Sequence, residues 1–193
     1  MKFTLEENID IEALLAPETE TEQQLLSIPA FRQGLLWGTP RYGHPEGKVV
    51  FHIREVLDNI DKLDIAPDIR SQLRLIAYAH DTFKYLEHKG TPRDWSRHHS
   101  ILARTFMEKI TEDSSVLDII ELHDEAYYSW RLLHLHKQAD ASQKRLDNLL
   151  NRLENNRQTY YLFFKCDTCT GDKNPAPLRW FEQTIDGLQI VQL

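Results

Sequence analysis

The stretch Leu75-Ile76-Ala77-Tyr78-Ala79-His80-Asp81-Thr82-Phe83-Lys84 restricts the fold of this chain more than any other segment. Small and apolar residues run up to His80, where an imidazole and a carboxylate follow one another directly. Burying that pair is costly unless positive charge holds it, and a divalent metal is the natural candidate. The chain must therefore bury a helix end and bring further ligands to it.

The remaining pattern is helical. Apolar residues recur at helical spacing and only 7 glycines punctuate 193 residues, which predicts a single all-α domain large enough to hold its core without disulfides. Residues 1–20 are acidic and weakly periodic and read as an N-terminal lead-in, with the domain over 21–193. Leu25, Leu26, Phe31, Leu35 and Leu36, interrupted at Pro29, predict two short helices with Ser27 capping the second. A Gly/Pro-rich loop, Gly38 to Gly47, leads into a helix whose Val49, His52 and Val56 share one face.

Pro67 suits the first turn of the helix that ends at His80-Asp81. Ser96 is expected to cap a helix with His99, Leu102, Ala103, Phe106 and Ile110 on its apolar face, leaving His98 about 100° away. One helix is expected from Ser115 to about His136, with Ile119, Ile120, His123 and Tyr127 on a stripe, and an amphipathic outer helix from Ala139 to Arg157. Tyr160 to Asp167 is apolar and aromatic and carries Asp167 inward, and Pro175 and Pro177 open a last short helix through Trp180.

The order His52, His80-Asp81, His99, His123, Asp167 resembles the HD-domain superfamily of metal-dependent phosphohydrolases over roughly residues 40–172. His80-Asp81 with Lys84 is similar to its HD-x-x-K signature, although Thr82-Phe83 stands where Ile-Gly is more usual. The resemblance implies an HD-like helical bundle with His52, His80, Asp81, His99, His123 and Asp167 as metal ligands. Successive members stand 28, 18, 24 and 44 residues apart, counting His80-Asp81 as one, so only a folded bundle can gather them. Nitrogen and oxygen donors of this kind suit Mn, Fe, Co, Ni or Zn better than the all-oxygen sets that Ca and Mg prefer. If His99 and His123 both point inward, six side chains exceed what one metal with open positions takes. Between one and two ions per chain are then expected, with Asp81 as the bridge.

The function implied is hydrolysis of a small phosphate ester or nucleotide through a metal-bound hydroxide, with Asp81 and Lys84 at the reaction centre and Arg41, Lys48, Lys84 and His98 as substrate contacts. Lys84 could equally form a salt bridge to Asp81. A diiron oxygenase of the same fold and a nonenzymatic ligand-sensing domain are the alternatives. His44, Asp172 and the pair His134/His136 are weaker ligand candidates, and Asp124 and Glu125 read either as carboxylates that orient imidazoles or as a solvated pair. Lys89, Arg93 and Arg97 lie in a loop from which one of them could reach substrate.

Cys166-Asp167-Thr168-Cys169 lacks the second half of a zinc cluster and reads as two small residues beside Asp167. A net charge of -7 argues against a nucleic-acid polymer as partner. The absence of a glycine-rich phosphate loop removes the P-loop and Rossmann readings. No apolar run approaches the roughly 20 residues of a membrane span. With no apolar core behind the first residues, a cytoplasmic protein without membrane contact is expected, and homo-oligomerisation stays open.

Overall fold

The computed structural model describes residues 9–92 and 94–193. Arg93 and residues 1–8 of the expected lead-in lie outside the described residues. Among the described residues the chain is all-helical, with one isolated bridge between Arg41 and His44. The helices are α1 (Ile11–Leu15), α2 (Glu20–Ser27), α3 (Pro29–Leu35), α4 (Val49–Ile60), α5 (Pro67–Ala79), α6 (His99–Met107), α7 (Ser114–Leu122), α8 (Glu125–His134), α9 (Ala139–Leu153), α10 (Arg157–Thr168) and α11 (Ala176–Thr184). No helix is long and apolar enough to cross a membrane among the residues described.

Helix α5 is the hub, packing against α4, α7 and α10. Its last turns carry Leu73, Ile76, Ala77, Tyr78 and Ala79, all fully buried, and the two alanines let neighbours approach closely. Helix α10 contributes Tyr160, Tyr161, Phe163 and Cys166 to the same core. Truncating a residue such as Leu73 to alanine here should cost about 2–5 kcal/mol, because a dense core cannot fully close over the gap. A buried ion pair also ties α5 to α2: Arg74 donates from Nε and a terminal nitrogen to Glu22, both at 2.9 Å.

The lead-in is not loose over its described part. Asp10 caps α1 by accepting from the Ala13 amide, and Ile11 and Leu15 are buried in the core against α4. Hydrophobic burial outweighs the weak periodicity of that segment. Ser27 does not cap α3. It lies inside α2, where its hydroxyl donates to the Gln24 carbonyl, and α3 starts from Ile28 on Pro29 alone. Ser96 likewise belongs to a short 3₁₀ turn capped by Asp94, and His98 caps α6 by accepting from the Ser100 amide.

The single helix expected over 115–136 is two helices, α7 and α8, broken at His123-Asp124. The Tyr160 hydroxyl sits in the break, accepting from the Ala126 amide at 3.1 Å and facing the carbonyls of Leu122 at 3.2 Å and His123 at 3.3 Å. A tyrosine from α10 thus satisfies the backbone groups the break exposes. Gly34 in α3 is required by a close approach, since a Cβ there would lie 1.8 Å from the Thr82 carbonyl oxygen.

Candidate metal centre

Five elements deliver six side chains to one place. His52 comes from the middle of α4, His80 and Asp81 from the residues just after α5, His99 from the first turn of α6, His123 from just after α7 and Asp167 from the last turn of α10. The four histidines and Asp81 are at most 4% exposed.

Helix ends set two of the rings. His80 and His123 each follow the last residue of a helix, where carbonyls lack intrahelical partners. Each ring takes one: His80 Nδ1 donates to the Ala77 carbonyl at 2.9 Å, and His123 Nδ1 to that of Ile120 at 2.8 Å. The other nitrogen of each ring then faces inward.

The inward nitrogens pair. His52 Nε2 lies 3.2 Å from His80 Nε2, and His99 Nε2 lies 3.3 Å from His123 Nε2. Asp81 stands between the pairs. Its Oδ2 is 3.5 Å from His80 Nε2 and 3.7 Å from His52 Nε2, while its Oδ1 is 3.4 Å from His99 Nε2 and 3.6 Å from His123 Nε2. Asp167 Oδ1 completes the first group at 2.9 Å from His52 Nε2 and 3.6 Å from His80 Nε2. A metal with bonds of about 2.1 Å sets neighbouring donors roughly 3.0–3.4 Å apart, and the observed edges of 2.9–3.7 Å fit that demand. These buried His and Asp groups could hold metal ions, in two clusters that share Asp81.

Two lysines balance the carboxylates. Lys84 pairs with Asp81 Oδ2, and Lys173 donates to Asp167 Oδ1 at 2.8 Å. Burial by itself raises a carboxyl pKa, but the Lys84 ammonium holds Asp81 well below the usual range, and Lys173 does the same for Asp167. Burial together with Lys173 pushes His52 down to about 4. At His123 burial acts in the same downward sense but loses to the Asp124 and Asp81 carboxylates, which raise the ring to about 9.

A cavity of about 280 Å³ opens above the cluster. Asp81, His123, Asp124 and Asp167 line it together with Lys84 and Lys173, and Tyr42, Tyr127 and Phe164 supply an aromatic side. Of the expected substrate contacts, only Lys84 is there. Lys48 reaches back to donate to the Leu36 carbonyl at 3.2 Å and holds the end of α3, because it sits at the start of α4 where that carbonyl is within reach. Arg41 borders a narrow neighbouring crevice with His44 and Glu46, whose other side is formed by His52, Asp81 and Lys84 of the cluster. His98 faces a separate hollow, with Nδ1 2.8 Å from the Ser100 hydroxyl and Nε2 3.1 Å from the Tyr128 hydroxyl. His99 is the inward member of the two.

Asp172 accepts from the Gly43 amide at 2.6 Å and joins two loops. His134 stacks on Trp130, away from the cluster. Lys89 and Arg97 are exposed, and Cys166 and Cys169 are free thiols outside every metal-ligand grouping among the described residues. Glu125 pairs with Arg145 through both oxygens.

Three side chains belong to the site that sequence reasoning did not place there, Glu46, Glu87 and Lys173, and a fourth, Asp124, was expected only as a carboxylate that orients imidazoles or as a solvated acid. Asp124 turns its carboxylate to the inward nitrogens, 3.5 Å from His99 Nε2 and 3.6 Å from His123 Nε2, so it stands as a fourth donor of the second group. Its signal was present, because His123-Asp124 repeats the His80-Asp81 dipeptide and also follows a helix end. Glu46, Glu87 and Lys173 lie in loops, where no periodicity marks them. No family model, curated protein or solved structure matches this chain, and the chemistry of the centre rests on its own residues.

Proposed function

We propose that this chain is a metal-dependent phosphohydrolase of the HD type, acting on a small phosphate ester or nucleotide. The observation that carries the reading is the Asp81 carboxylate, which turns one oxygen to each histidine pair on the floor of a cavity bordered by two lysines. One or two ions of the Mn, Fe, Co, Ni or Zn kind, held by His52, His80, Asp81 and Asp167 and by His99, His123, Asp81 and Asp124, would supply Lewis acidity to a phosphoryl oxygen and acidify a water there.

The chain's own groups do the rest. Lys84 and Lys173 bring two ammonium groups to the cavity wall, where they offset the charge of a phosphoryl group. Tyr42, Tyr127 and Phe164 face the same space and suit the organic part of such a substrate. Burial of the histidines keeps bulk water from competing at the donors.

Elemental analysis of protein purified without chelator, followed by a screen of phosphate esters and nucleotides across these metals, tests the reading. Bound metal and turnover of at least one ester, both lost in Asp81→Ala, are expected. Iron together with oxygen consumption would replace the reading with a diiron oxygenase. Tight metal with no ester turned over would replace it with a ligand-sensing domain.

A further inference from the structure

We infer that Glu46 and Glu87 are a matched pair of positioning residues, one for each half of the centre, which hold the outer histidines His52 and His99 with the proton on Nδ1. The inference rests on the metal-binding part of the reading above.

All four inward rings present Nε2 to the centre, and an oxygen stands opposite each Nδ1 atom. His80 and His123 meet backbone carbonyls. His52 Nδ1 faces Glu46 Oε1 at 3.5 Å and the Thr170 hydroxyl at 3.4 Å, and that hydroxyl already donates its proton to the Asp167 carbonyl at 2.7 Å. His99 Nδ1 is buried and makes no hydrogen bond in this geometry, and the Glu87 Oε2 atom faces it at 3.4 Å. Carboxylates face both nitrogens of these rings and can only accept, so the choice falls to the metal: a ring whose Nε2 lone pair binds an ion would carry its proton on Nδ1, towards the glutamate.

The two halves repeat this arrangement. In each, the glutamate side chain is nearly buried, at 6% exposure for Glu46 and 3% for Glu87. In each it also meets a second imidazole outside the centre: Glu46 Oε1 lies 2.9 Å from His44 Nδ1, and Glu87 Oε1 lies 3.7 Å from His98 Nε2. Two carboxylates from unrelated loops thus reach the same atom of corresponding histidines. The inner rings have carbonyls in that role and the outer rings have charged groups, which raise the basicity of the nitrogen across the ring. His98, left without a place in the cavity, thereby gains one as the flank of Glu87.

The test is competition of Zn²⁺ or Co²⁺ against a chromophoric chelator in Glu46→Gln, Glu46→Ala, Glu87→Gln and Glu87→Ala, with the Co²⁺ visible spectrum recorded for each. Removing such an orienting partner weakens a metal by roughly 10- to 100-fold. Glu87 variants should weaken one equivalent by that factor and leave the other, Glu46 variants should do the converse, and glutamine, which keeps an acceptor, should lose less than alanine. The Co²⁺ bands should shift for the affected half alone, a change that mere loss of stability would not produce. Affinities within about twofold of the parent in all four variants, or equal loss of both equivalents, would overturn the inference while leaving the hydrolase reading intact. Loss of a third equivalent in the Glu87 variants would overturn it too, by making Glu87 a ligand. A parent that takes up no metal would end both readings, whereas a metal-loaded parent with no phosphatase activity would end only the function.

Discussion

The two halves of the centre use the same residue types and differ in charge. Around His52 and His80 the carboxylates are met by Lys84 and Lys173, and burial with the nearby Lys173 keeps His52 neutral until about pH 4. Around His99 and His123 two carboxylates, Asp81 and Asp124, converge on the rings, and His123 holds a proton up to about pH 9. At neutral pH His52 is neutral, whereas His123 must release a proton to accept a metal. A histidine's readiness to bind is therefore set by the charges packed against it as much as by the direction it points.

Asp81→Ala should erase the comparison altogether, because the one carboxylate serves both halves. The expected result is loss of both metals and of all turnover with helical circular dichroism retained. By contrast Asp167→Ala and Asp124→Ala should each cost one equivalent, from opposite halves, by elemental analysis. A full complement of metal in Asp81→Ala would remove the bridge.

The lysines sharpen the contrast through catalysis. Lys84→Ala and Lys173→Ala, compared at full metal loading, should lower kcat/KM for a phosphate ester by roughly 10- to 1000-fold, or about 1.4–4 kcal/mol. Parent-like kinetics in both would take away the anion-binding role.

In metal-free protein the halves should fail at opposite ends of the pH scale. His123, raised from 6.5 to about 9, stabilises the fold fully below pH 6.5 and loses that contribution as pH rises through 9. His52, lowered from 6.5 to about 4, makes the fold lose stability as pH falls from 6.5 towards 4. Each contribution is on the order of 3 kcal/mol. Urea unfolding with chelator at pH 5, 7 and 9.5 should show a decline on both sides, the alkaline one absent in His123→Ala and the acid one absent in His52→Ala. The reverse assignment would contradict the charge argument. The smallest effect belongs to Lys48→Ala, whose side chain lies outside the cavity: kcat/KM should stay within about twofold of the parent, as for an ordinary surface change of some 0.5 kcal/mol.

Helical periodicity made the inward direction of His52, His99 and His123 legible, since each shares a face with residues that the fold buries. The all-helical class followed from the same signal. Loop residues carry no such period, so Glu46, Glu87 and Lys173 were invisible until the chain was folded, and Lys48 was misplaced by its nearness in sequence. The break between α7 and α8 was hidden for a different reason. The hydroxyl that occupies it belongs to Tyr160, more than thirty residues away, and a local pattern cannot register a distant partner.

Gly34 gives the N-terminal helices a hold on the His/Asp cluster. Because α3 lies backbone to backbone on the turn that follows Asp81, the carboxylate shared by the two clusters is gauged against a helix that begins before the first clustered residue in the chain. The ligand-bearing helices are therefore not a portable module. A shortened chain starting at α4, or a graft of α4 to α10 onto another scaffold, would inherit every donor and forfeit the stop that sets their depth.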